Sequence, residues 1–118
     1  MPFNRKVLFN KVIGLKPGGE WHTKPIELHK GDILTISASG NEKFYAGIFD
    51  RVEYHRKVGA DGGMFGFEFG TDSRGFTHRV QAKSYEDYYV VLRVGIFSGS
   101  ARIQCRIELL RRMTTAQA

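Results

Sequence analysis

Residues 27–40, ELHKGDILTISASG, place two short apolar alternations on either side of a Lys-Gly-Asp turn, and the second alternation runs out into Ser-Gly. Side chains at every second position face the same way in a strand, so this pattern predicts two strands, 23–28 and 32–38, joined by a tight turn. Pro25 has no backbone donor and belongs at a strand start or on an edge. The Asp32 side chain is expected to bond its own turn backbone.

The same period of two recurs on both sides of this stretch. NRKVLFNKVIG (4–14) carries Val7 and Phe9 on one face and breaks at Gly14, and LKPGGEW (15–21) reads as a turn-rich connection. In FYAGIFDRVEYHRKV (44–58), Val52, Tyr54, Arg56 and Val58 alternate with charged residues. Phe65, Phe67 and Phe69 line one side of a short strand between glycine loops. FTHRVQA (76–82) turns Phe76, His78, Val80 and Ala82 inward and Thr77, Arg79 and Gln81 outward. KSYEDYY (83–89) has Ser84 three residues before Asp87, which predicts one capped helical turn. ARIQCRIELL (101–110) reads as a strand through Ile103, Cys105, Ile107 and Leu109. Together these segments predict an all-β fold, an antiparallel β-sandwich of jelly-roll type with about eight strands. One domain is expected over 1–112, with a frayed tail at 113–118.

Bulk composition fits that reading. The chain has 118 residues, of which 42% are hydrophobic, 25% charged and 13% aromatic. A domain of this size needs neither metal nor disulfide to fold, and Cys105, the single cysteine, is expected to pack as a small buried apolar residue. No apolar run approaches the roughly 20 residues of a membrane helix, and the opening residues lack the core of a secretory signal. The expectation is a cytoplasmic protein without membrane contact. Lys and Arg outnumber Asp and Glu by 18 to 12, for a net charge of +6. The cations are spread from Arg5 to Arg112, so a solvated basic surface is expected and a nucleic-acid partner is not.

Chemistry-bearing motifs are sparse. The four histidines show no metal-ligand spacing, no serine sits in a nucleophile elbow, and GADGGMFGFEFG (59–70) lacks the Lys-Ser/Thr of a phosphate loop. No carboxylate pair is spaced for acid–base work, so no enzyme and no cofactor are expected. Trp21, Tyr45, Tyr54, Tyr85 and Tyr89 are candidate aromatic platforms for sugars or bases. The stretches FYAGIF (44–49) and YYVVLRVGIF (88–97) are apolar on both faces. A two-layer sandwich covers only one face of each sheet, so their second faces need a loop or another subunit, which makes a homo-oligomer the alternative expectation.

IELHKGDILTISASG (26–40), GGMFGFEFGTDSRGF (62–76) and the closing YYVVLRVGIF and ARIQCRIEL resemble the galactose-binding-like jelly-roll sandwiches. The pattern is nearest to the calcium-dependent galactophilic lectins of bacteria and is shared with pre-peptidase C-terminal and Golgi-dynamics domains. The resemblance implies a carbohydrate-binding module in which Tyr45 matches a calcium-holding tyrosine and His55 a sugar-contacting histidine. Those lectins hold calcium in a long Asp/Asn-rich loop before the last strand. Here SGSA (98–101) stands in that place and cannot supply the six to eight oxygens calcium takes. The expectation is therefore saccharide binding without calcium or any other metal, in the loops 41–63, through Tyr45, Asp50, His55 and Asp61.

Overall fold

The computed structural model describes residues 3–55, 69–71, 76–95 and 99–112. Asp61, Phe65, Phe67, the segment Arg56–Val58 and the tail 113–118 lie outside them. The described strands are β1 (Phe3–Leu15), β2 (Glu20–His22), β3 (Ile26–Leu28), β4 (Ile33–Gly40), β5 (Phe44–Asp50), β6 (Phe69–Thr71), β7 (Phe76–Gln81), β8 (Glu86–Arg93) and β9 (Ala101–Arg112), with one short helix, α1 (Arg51–Glu53).

They form two antiparallel sheets. The first has the order β1-β9-β4-β7; the second runs β2-β8-β5-β6, with β3 also paired to β8. The chain changes sheet after β1, β3, β4, β6, β7 and β8, which is the double Greek key of a jelly roll. The described strands fill eight positions, one of them split between β2 and β3. β2 pairs with Val91–Arg93 and β3 with Glu86–Tyr88, end to end along the same side of β8. At the break the Thr23 N–H donates to the Val90 carbonyl, while Thr23 Oγ1 accepts from the Val90 N–H, each at 3.0 Å. Pro25, with no N–H to offer, occupies the gap on this edge.

Each inner face is apolar at every second residue. Leu34, Ile36 and Ala38 of β4 and Ile103, Cys105, Ile107 and Leu109 of β9 face Phe44, Ala46 and Ile48 of β5 and Tyr88, Val90 and Leu92 of β8 in one core. Burial pushes the Cys105 thiol up to about 12. Since the thiolate is the reactive form, native protein at pH 8 is expected to react with a thiol reagent at a small fraction of the denatured rate. Equal rates would contradict this burial.

Several expectations change here. The tight turn at 29–32 is present, but β3 and β4 do not pair: β3 hydrogen-bonds to β8, and β4 to β9 and β7. The turn is a corner that carries the chain from one sheet to the other. Gly31, with φ +89°, makes the corner, and its N–H donates to the Ala82 carbonyl while the Ala82 N–H donates to the Asp32 carbonyl. Ala82 lies between β7 and β8, so two sheet-changing corners are tied together. Asp32 Oδ2 accepts from the His29 N–H at 2.8 Å, as the turn chemistry predicts, and also from Arg111 Nε and Nη2 at 3.0 and 2.8 Å.

In β1 the register slips between Val7 and Phe9, so one extra residue enters the strand. The bulge moves the two residues to opposite faces: Val7 is 44% exposed, whereas Phe9 packs against the core. The strand also continues through Gly14 to Leu15 instead of breaking there. Glu20 and Trp21 belong to β2, not to a loop. Past Asp50 the alternation gives way to α1, because Asp50 and Glu53 cap each other's backbone N–H groups. The helical turn expected at Ser84 is absent: Glu86 and Asp87 already pair with Leu28 and Glu27 in the β8 ladder.

Candidate functional site on the outer face of the second sheet

With Phe44, Ala46, Ile48, Tyr88, Val90 and Leu92 turned inward, alternation sends Tyr45, Gly47 and Phe49 of β5 and Tyr89, Val91 and Arg93 of β8 to the outer face. Glu20 and His22 of β2 join them, since Glu20 lies opposite Arg93 and His22 opposite Val91. This is the second apolar face that the sequence leaves in need of cover. Val91 is 0% and Phe49 2% exposed, so it is covered, and by the chain itself. A methyl group on Gly47 would lie 2.6 Å from the Phe49 ring, so that ring lies over the Gly47 backbone. Tyr54, carried over the sheet by α1, stacks on Tyr89 with ring centroids 3.9 Å apart and planes 11° apart.

A polar chain borders this aromatic plate. The Glu20 carboxylate accepts from His22 Nε2 and from the Arg93 guanidinium. His22 Nδ1 lies 2.7 Å from the Tyr54 hydroxyl. A carboxylate can only accept, so Nε2 carries a hydrogen; in the neutral ring Nδ1 is then the acceptor, and the Tyr54 O–H donates to it. Burial, the neighbouring Tyr89 and the Glu20 charge all raise the Tyr54 phenol above its ordinary value. That keeps it a neutral donor rather than a phenolate. Burial pushes the Glu20 carboxyl upward, but the hydrogen bonds from His22 and Arg93 and their charges outweigh it and hold the group below its ordinary 4.5. A depressed carboxyl stabilises the fold fully above the unfolded pKa, and that contribution fades as pH falls through the folded one. Glu20→Gln is expected to cost no more than about 1 kcal/mol at pH 7, given the partial exposure of the pair. In denaturant titrations the gap between variant and parent should begin to narrow as pH drops below 4.5 and go on closing as the lowered folded carboxyl is protonated. A gap that stays constant down to pH 3 would refute the ion pair's role.

The expected site residues divide. Tyr45 sits on this face, half-buried, opposite Arg93 in the ladder and with Lys43 Nζ 5.5 Å from its ring centroid. His55 meets Tyr54 and Tyr89 edge-on, at centroid distances of 5.4 and 6.3 Å. Tyr45, His55, Tyr54 and Tyr89 therefore share one face. Asp50 is occupied as the N-cap of α1, its Oδ1 accepting from the Glu53 N–H at 2.8 Å. Asp61 lies outside the described residues. Trp21 and Tyr85 are elsewhere: Trp21 packs tilted against Phe9 at 4.9 Å, and Tyr85 stacks on His29 at 5.2 Å. Glu20, His22 and Arg93 were not singled out from the sequence. Glu20-Trp21-His22 did carry a signal, an acid and an imidazole two apart and hence on one face of a strand.

Among the described residues, no group of three or more His, Cys, Asp or Glu is placed to hold a metal ion, and no helix is long and apolar enough to cross a membrane. No family model matches the chain, and no curated protein matches it.

Proposed function

We propose that this chain is a non-enzymatic binding module that takes a saccharide or similarly polar ligand, without calcium, on the outer face of the second sheet. The carrying observation is the Tyr54–Tyr89 stack bordered by the Arg93–Glu20–His22 chain. A sugar ring presents an apolar C–H face and a rim of hydroxyls that both donate and accept. An aromatic plate suits the first, and a carboxylate, an imidazole and a guanidinium side by side suit the second. Tyr45 and His55, on the same face, extend the plate. Absence of Asp and Asn from SGSA supports a ligand held directly rather than through calcium.

The test is a saccharide panel titrated into labelled protein and followed by NMR. The expected result is saturable shifts of the His22, Tyr54 and Tyr45 resonances that persist in a calcium chelator and are lost in Tyr54→Ala. A panel that leaves these resonances unmoved, or binding that the chelator abolishes, would overturn the proposal.

A further inference from the structure

Where β1 faces the split edge β2–β3, the two sheets do not close on each other. They leave a cleft of about 640 Å³, floored by Leu8, Phe9, Trp21, Ile26, Ile107 and Leu109. Both strand edges contribute to the opening. The β1 bulge turns Leu8 and Phe9 inward together, and the break at Thr23–Pro25 interrupts the opposite wall. Ile107 and Leu109 are buried at the bottom, while Leu8, Phe9, Trp21 and Ile26 stay half-buried although all four pack against the core. This volume falls within the usual range of small-molecule sites, roughly 300–1,000 Å³.

The mouth is cationic. Lys6, Lys24 and Arg111 line it against one carboxylate, Glu27. Lys6 holds an inward position: it pairs with Leu109, in phase with Phe9 opposite Ile107. Its ammonium group therefore borders apolar floor, not open sheet surface. Arg111 is fixed there through its two contacts with Asp32.

From this apolar floor and positive mouth we infer that the cleft is a binding site for a single-chain anionic amphiphile, an alkyl carboxylate of the fatty-acid class. The chain lies along Leu8, Phe9, Trp21 and Leu109, and the carboxylate meets Lys6 and Lys24. This cleft opens between the sheets and meets the outer-face site only at His22, and the inference does not depend on what binds there.

Trp21 is the only tryptophan and lines the cleft, so its emission reports on this site alone. The intact protein is titrated with alkyl carboxylates of increasing length, below their micelle concentrations, and with the matching alcohols. Each methylene buried should tighten binding about fourfold until the floor is covered, after which affinity levels off. Carboxylates should bind about tenfold tighter than alcohols of equal length, the value of one charge-assisted contact. Lys6 and Lys24 are exposed, so the double variant Lys6→Glu/Lys24→Glu should fold normally, lose the carboxylate preference and keep its affinity for the alcohol. No saturable change in Trp21 emission would overturn the inference and leave Lys6 as a guard against edge-to-edge pairing. Equal affinity for carboxylate and alcohol in the parent protein would overturn it too, by removing the role of the rim.

Discussion

Replacing Phe44 by alanine is expected to lower the unfolding free energy by about 3–5 kcal/mol, the largest single effect in this fold. Phe44 is 0% exposed and heads the fully buried side chains by volume. It starts the inner face of β5 and reaches across to the other sheet: a Cβ placed on Gly40 of β4 would lie 3.3 Å from Phe44 Cδ1 and 3.3 Å from Ile103 Cγ1. Truncation removes the ring's transfer energy and leaves a hole between strands held by ladders on both sides. β5 pairs with β6 and β8, so neither neighbour can move in without breaking register. Phe44→Leu, which refills most of the volume, should recover more than half the loss. A denaturation midpoint unchanged in Phe44→Ala would mean that the ring is not a wedge between the sheets.

Asp32→Ala is expected to cost about 2–4 kcal/mol. Its carboxylate is buried, with the whole residue 2% exposed, and one oxygen accepts from the His29 N–H and twice from Arg111. Removing it leaves the turn N–H without its acceptor and a guanidinium without its counter-charge. Arg111→Met tests the other half. It strips the charge partner from a carboxylate that stays buried and should cost a comparable amount. The double variant Asp32→Ala/Arg111→Met should lose less than the sum of the singles, because the two residues share one interaction. Additive losses measured by urea unfolding would show that they act separately. Asp32 also sits at a sheet-changing corner and Arg111 in β9, so the pair ties the second sheet's edge to the last strand of the first.

What the sequence discloses and what it conceals follow from the range of the forces involved. Alternation is local, so the inward positions are legible one by one: Val80 in β7, Ala82 just beyond it, and Ile103, Cys105, Ile107 and Leu109 in β9. Partner choice is not local. HKGD makes the same tight turn whether the flanking strands pair or part, and what separates β3 from β4 is the pull of β8, β7 and β9 from far along the chain. The bulge in β1 is equally silent, because an inserted residue changes the phase of alternation without changing composition. The capping of α1 was written in the sequence, as Asp50 and Glu53 three apart, but the alternation of Val52 and Tyr54 masked it. For the site, Tyr45, Tyr54, Tyr89 and His55 are visible as chemistry. That they share a face with Glu20, His22 and Arg93 depends on ladder pairing, which joins Arg93 to a residue 73 positions earlier.

The position of β9 has a consequence for biosynthesis. It is the last described strand to leave the ribosome, yet in its sheet it lies between β1 and β4, pairing with the former from Phe3–Arg112 to Leu15–Ala101. Until it emerges, two early strands wait with bare backbone edges and an uncovered apolar face. This sheet can therefore close only after β9 has been synthesised, and nascent chains stalled before residue 101 should be clients for chaperones and proteases.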